Sequence, residues 1–270
     1  MALKDLLVHL DPGERTPVRL DIAVALARTH GARLTGLFGE RALPEGIGVT
    51  ATWPSEDYVA EAEASKAAFA AATAGLAQVD WIDANRGGDS ELLRVITERS
   101  RFHDLTIVGQ HDETVMAHIP PQLAEQLVIQ SGRPVLVVPY AGDYSRVGRR
   151  PLIAWDSSRQ SAHALNDALP LLQNCDEAIV VSLDTPFEDA QASVAQIARH
   201  LAAHGIKAKT EVLMAEEVQV MDLVLNRVTD LDADLLVIGA HRHTVLPTKE
   251  HPVDARAIMK QMVVPTLVSR

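Results

Sequence analysis

The sequence predicts two doubly wound α/β domains in one chain, each a parallel sheet flanked by helices. Three observations predict it. Short Val/Ile/Leu runs are continuous rather than alternating, as strands buried on both faces of a parallel sheet must be. They alternate with stretches of helical length and period, the order that builds doubly wound sheets. The whole pattern also occurs twice, and an internal repeat constrains the fold before any single element does.

The repeat is visible at three anchors. Lys4-Asp5-Leu6-Leu7-Val8-His9-Leu10-Asp11 and Arg150-Pro151-Leu152-Ile153-Ala154-Trp155-Asp156 are each a buried strand ending on aspartate. Asp104-Leu105-Thr106-Ile107-Val108-Gly109 matches Asp234-Leu235-Leu236-Val237-Ile238-Gly239, and Arg133-Pro134-Val135-Leu136-Val137-Val138 matches Val264-Pro265-Thr266-Leu267-Val268-Ser269. The offsets are 145 at the aspartates, 130 at the glycines and 131 at the prolines. One insertion of about 15 residues in the first half accounts for all three, and the aperiodic Gly/Pro/Thr-rich stretch 39–56 is its place. The domains are then 1–141 and 149–270, with 142–148 as linker.

Taken in order, strands are predicted at 4–10, 33–38, 78–83, 104–109 and 134–139, then at 150–155, 177–183, 208–213, 234–239 and 265–269. A helix over 16–30 follows from the stripe Val18, Ile22, Ala25, Leu26 and stops at Gly31. The alanine-rich 55–76 has acidic residues in its first turns, which suit a helix N-terminus. Asp89 opens 89–100 as a capping-type residue before the stripe Leu92, Leu93, Ile96. The second half repeats the scheme at 161–172, 189–204 and 218–229.

Composition excludes several function classes. With 36 acidic and 25 basic side chains the net charge is −11, the wrong sign for a nucleic-acid or anionic-membrane surface. Aromatics are 4% of residues, too few for a base-stacking platform. No apolar run approaches the roughly 18 residues of a membrane span. The N-terminus carries no secretory signal, and a single cysteine, Cys175, forms no internal disulfide or zinc framework. The expected location is the reducing cytoplasm.

In order and spacing, found twice, these elements resemble the universal stress protein family. The matching features are a first strand ending in Asp, a Gly-Asp turn (Gly88-Asp89), an Asp-Leu-hydrophobic-hydrophobic-Gly strand and a final Pro-Val-Leu-Val-Val strand. The resemblance covers essentially the whole chain and implies a tandem of two Rossmann-like domains packed as an internal pseudo-dimer through their last strands. Pairing would remove an open sheet edge. A further homodimer is compatible with it.

The family's ATP-binding members carry Gly-x2-Gly-x9-Gly-Ser/Thr after the fourth strand. The glycines admit phosphates to backbone N–H groups, and the last pair sits at a helix N-terminus. In this chain the first glycine is present in both halves, Gly109 and Gly239. The second falls on Asp112 and Arg242, and the terminal pair on Pro121-Gln122, with one deletion allowed, and on Pro252-Val253. An aspartate beside phosphate is repulsive, whereas Arg242 is attractive, so any ATP or AMP is expected in the second half. If a nucleotide binds, the resemblance assigns it Asp156, Leu183, Gly239 and Arg242 there, and Asp11, Leu37, Gly109 and Asp112 in the first half. Otherwise the glycines are tight strand-to-loop turns and the aspartates cap helices.

Other constellations compete. His111 and His118 follow the fourth strand; His241, His243 and His251 follow its repeat. A His-x-His segment places two rings on one face, and His251, Asp254 or Glu250 would complete a transition-metal set. Solvated loop histidines are the simpler account. Asp156-Ser157-Ser158 lacks a nucleophile-elbow motif and reads as a turn. Cys175 lies beside acids that raise its pKa, so it is expected to be structural. A hydrophobic groove under 60–77, with Trp53 and Tyr58 as lid residues, is a further candidate, and Arg146, Arg149 and Arg150 read as a solvated hinge.

The expectation is a cytoplasmic, non-enzymatic tandem universal stress protein that acts through an unidentified protein partner, with no resident cofactor. The alternatives are an ATP- or AMP-responsive switch in the second domain, or a metal- or small-ligand-binding regulator using the histidine loops.

Overall fold

The computed structural model describes residues 2–42, 53–112, 118–182, 187–213, 220–240 and 259–270. Contacts divide the chain into two compact units, residues 2–140 and 141–270. In the first unit β1 (Asp5–Leu10), α1 (Thr16–His30), β2 (Arg33–Phe38), α2 (Glu56–Ala72), β3 (Val79–Asp83), α3 (Asp89–Ser100), β4 (Leu105–Gly109), α4 (Leu123–Gln130) and β5 (Val135–Val138) follow in turn. The second unit has β6 (Pro151–Trp155), α5 (Arg159–Leu172), β7 (Ala178–Ser182), α6 (Phe187–Ala203), β8 (Ala208–Val212), α7 (Val220–Asp230), β9 (Leu235–Gly239) and β10 (Thr266–Ser269).

Each unit holds a parallel sheet, ordered β3-β2-β1-β4-β5 in the first and β8-β7-β6-β9-β10 in the second. The order reverses between β1 and β4 and between β6 and β9, so a crevice is expected at the carboxyl ends of those strands. The central strands are buried along their length. The outer strands β3 and β8 carry exposed Asp80 and Asp83, and Lys209 and Thr210, which blunt the sheet edge.

The aspartate that opens each Asp-Leu strand has a structural task. Asp104 accepts the backbone N–H groups of Lys4 and Asp5 at 2.7 and 3.1 Å. Asp234 accepts those of Gly148, Arg149 and Arg150 at 3.1, 2.9 and 2.9 Å. In both units one carboxylate thus anchors the start of the neighbouring central strand. The end of the predicted linker is therefore held by the second unit, and Tyr144 also donates its hydroxyl to the Val263 carbonyl at 2.9 Å.

Three local expectations are corrected. The alanine-rich helix ends at Ala72 rather than Leu76, because the Thr73 hydroxyl turns back to the Phe69 carbonyl at 2.7 Å and Gly75 takes φ +90°. Gly88, not Asp89, is the N-cap of α3; Asp89 is its first residue and acts through its charge. Helix α5 begins at Arg159, two residues early, because Ser158 caps it by accepting the Ser161 N–H at 3.0 Å.

Candidate functional site

In the first unit the carboxyl end of β1 and the first turns of α1 enclose a buried polar cluster. Asp11 directly follows the strand at 7% exposure, and Arg19 lies one turn into α1 at 3%. The guanidinium pairs with the Asp11 carboxylate. It also donates to the Thr16 hydroxyl at 2.7 Å and, through Nε, to the His9 carbonyl at 3.3 Å. Asp11 further accepts the Gly13 N–H at 2.7 Å and the Thr16 hydroxyl at 3.1 Å. Burial alone would raise the Asp11 carboxyl; Arg19, then His9 and these hydrogen bonds, outweigh it and hold the carboxyl below its usual range.

His9 completes the cluster with no exposed surface. Its Nε2 donates to the Gly39 carbonyl at 2.8 Å, which leaves Nδ1 unprotonated, 3.6 Å from Asp11. Burial pushes the imidazole down to about 4, so it is neutral at physiological pH.

Arg19 also decides what Gly109 does. A Cβ on Gly109 would lie 2.6 Å from Arg19 Nη1. The predicted pair Asp11 and Gly109 is therefore brought together, but around a guanidinium of the protein itself. Leu37, assigned to the same end by resemblance, is fully buried in β2. Asp112 follows β4 in the loop after it.

The second unit keeps the glycine and loses the plug. Ala164, with almost no exposed surface, stands at the position offset by 145 from Arg19. Here α5 itself approaches: a Cβ on Gly239 would lie 2.5 Å from the Gln160 carbonyl carbon and the Ser161 nitrogen. Asp156 accepts the Ser158 N–H at 3.1 Å, the turn expected of Asp-Ser-Ser, and Ser157 takes φ +56°. Leu183, Arg242, His241, His243 and His251 lie outside the described residues, as do Glu250, Asp254 and Pro252-Val253. Among the described residues no group of three or more His, Cys, Asp or Glu side chains is placed to hold a metal ion.

A cavity of about 640 Å³ opens beside the buried cluster, beyond the carboxyl ends of β2 and β3. Its walls include Glu40, Trp53, Tyr58, Glu61, Arg86 and His118. Backbone bonds tie the walls together: Arg41 N to the His118 carbonyl and Ala42 N to the Gly87 carbonyl, both 2.8 Å. Glu40 is 7% exposed and lies 3.1 Å from His118 Nδ1. Burial, a hydrogen bond shared with Glu61, and the charges of Asp11 and Asp57 push the Glu40 carboxyl far above its usual range. Crowding by the neighbouring carboxylates thus keeps a proton on Glu40 at neutral pH, while Arg41 and Arg86 bring positive charge to the same walls.

The cavity revises the expected groove. Trp53 and Tyr58 do line it, with ring centroids 4.5 Å apart, but carboxylates and arginines line it too. Tyr58 is locked rather than lid-like: its hydroxyl donates to Asp83 and accepts the Asn85 N–H at 2.9 Å. Cys175 is half-buried, and burial followed by the charge of Asp176 raises its thiol, the inert environment expected. Arg149 and Arg150 pair with Asp176 and Asp232.

Sequence reasoning missed Arg19, His9, Glu40 and Glu61. The signal for Arg19 was present: it shares the buried α1 face with Ile22, Ala23 and Leu26, a charge on an apolar stripe eight residues after a strand-ending aspartate.

No protein-family model and no curated protein matches the chain. Two solved structures align with nearly all of it. One is a universal stress protein from Archaeoglobus fulgidus DSM 4304, with 14% identity, 98% of this chain and 96% of that chain covered, and a TM-score of 0.73. The other is a functionally unknown protein from Pseudomonas aeruginosa PAO1, with 18% identity, 99% and 92% coverage, and a TM-score of 0.62. The chain thus shares the fold of a universal stress protein along its whole length.

Proposed function

We propose that this chain is a tandem universal stress protein acting in the stress response as a non-enzymatic binding or regulatory protein, in the cytoplasm, through a protein partner. The observation that carries the reading is Arg19. Its buried guanidinium satisfies Asp11 and covers Gly109, two of the four first-half positions to which the resemblance would assign a nucleotide. A nucleotide would have to displace a buried ion pair. In the second half, close packing of Gly239 against α5 explains that glycine without a ligand.

The competing reading is an ATP- or AMP-responsive switch in the second unit. It is favoured by Ala164, which stands in the second half at the position matching Arg19. Mass spectrometry of untagged protein and a thermal-shift titration with ATP and Mg²⁺ separate the two. The proposed reading expects neither a copurified nucleotide nor a shift. Stoichiometric ATP or AMP, with a shift abolished by Arg242→Glu, would replace it with the switch.

A further inference from the structure

Histidines outside the predicted loops are placed for a different task. Helix α6 turns Ala190, Val194 and Leu201 inward and leaves His200 and His204 exposed. Four residues apart, the two side chains stand one above the other on the same face. His204 is the first residue beyond the helix, and its backbone is fixed. Gly205 takes φ +77°, its N–H bonds the Ala202 carbonyl at 2.9 Å, and the Ile206 N–H bonds the Leu201 carbonyl at 3.0 Å. With Ile206 and Leu201 both buried, this is a complete Schellman stop, so the last histidine does not fray with the helix end.

The rings are spaced for a shared ion. Their centroids are 4.8 Å apart with planes at 65°. Imidazole nitrogens bind transition ions at about 2.0–2.1 Å, which puts two ring centroids about 4.4 Å apart at a right angle and about 5.1 Å apart at a tetrahedral one. The observed spacing falls between those limits. The pair also sits at the negative end of the helix dipole, on a chain of net charge −11, and both features favour a cation.

We propose that His200 and His204 form a two-histidine chelate for a divalent transition-metal ion, with water filling the remaining positions. Two imidazole nitrogen donors, with no carboxylate placed to join them among the described residues, select against Mg²⁺ and Ca²⁺, and the order of divalent affinities makes Cu²⁺ the tightest guest. A site with two protein ligands exchanges its ion; it is not a closed structural zinc centre. It uses none of the candidate residues His241, His243 and His251, and it does not depend on the proposed stress-response role.

The test is a Cu²⁺ titration of the untagged full chain by calorimetry, with electron paramagnetic resonance to count coordinating nitrogens. One equivalent with two imidazole nitrogens is expected. Removing either ligand, His200→Ala or His204→Ala, abolishes the chelate and weakens that equivalent by about a hundredfold. Gln196→His in the His204→Ala background rebuilds a pair one turn earlier and restores binding. His241→Ala/His243→Ala leaves the equivalent intact, and excess Mg²⁺ does not compete. An equivalent unchanged in His200→Ala/His204→Ala, or lost in His241→Ala/His243→Ala, overturns the proposal and leaves the ring contact as edge-to-face packing alone.

Discussion

Replacing Arg19 with methionine keeps most of the volume on the buried face of α1 and removes the charge. The loss has three parts: the ion pair to Asp11, the 2.7 Å bond to the Thr16 hydroxyl and the 3.3 Å bond to the His9 carbonyl. Asp11, at 7% exposure, is then a buried carboxylate without its counterion. Breaking a buried pair in this way costs about 3–5 kcal/mol. The loss should appear in the unit that holds Trp53 and Trp81, while the unit that holds Trp155 keeps its stability. Urea unfolding followed by tryptophan fluorescence, with Phe replacing Trp155 or both others, reads the two separately. Arg19→Met/Asp11→Asn removes both charges and should recover much of the loss. The advantage of wild type over Asp11→Asn should be full above the unfolded carboxylate pKa of about 3.9 and vanish as pH falls through the lower folded value. A single-variant cost below about 1 kcal/mol, or strict additivity in the double variant, would refute the buried pair as the fixed point of this site.

Three further outcomes follow from the same geometry. Because burial lowers His9 from 6.5 to about 4, the unfolded chain binds the proton more readily between those values, and stability should rise by roughly 3 kcal/mol from pH 4 to 6.5; urea titrations across that range should lose most of this slope in His9→Gln. Gly239→Ala forces a Cβ against α5 backbone at 2.5 Å and should cost about 1–3 kcal/mol, whereas Gly88→Ala meets nothing within 4 Å and should be far milder; chemical denaturation of the two variants compares them directly. Asp234→Asn should destabilise its unit more than Asp104→Asn destabilises the other, since one carboxylate serves three backbone N–H groups and the other two; hydrogen exchange at Arg150 and Asp5 locates the loss.

The scaffold was legible because its signals are local. The apolar runs placed all ten strands within about one residue, and Gly31 stops α1 in the left-handed conformation where the stripe ended. Apart from the short helix α4, which the sequence reading did not place, the missed features are those that sequence distance hides. Glu40 and Glu61 meet only after β2 and α2 pack, and His118 reaches Glu40 from 78 residues away. Arg19 was readable as an oddity, but what it touches depends on β4 lying beside β1, which no period in α1 reveals. His200 and His204 stand at helical spacing in plain view; the Schellman stop that fixes the second ring depends on Gly205, two signals that gain meaning only together.

Comparison of the two units separates what the fold requires from what each site adds. The anchoring aspartates Asp104 and Asp234 and the strand-ending glycines Gly109 and Gly239 recur, and each has a packing or hydrogen-bonding task in its own unit. Those positions therefore carry little information about ligands, even though a nucleotide motif would begin at the same glycine. The units part where Arg19 stands in one and Ala164 in the other. A guanidinium and its carboxylate survive burial only as a matched pair, so Arg19 commits Asp11 and the space over Gly109 to the protein's own structure. At the matching place in the second unit Ala164 replaces the guanidinium, and the backbone of α5 packs over Gly239. The two units thus differ at the matching crevice: a buried guanidinium–carboxylate pair fills it over Gly109 in the first, and the α5 backbone packs over Gly239 in the second.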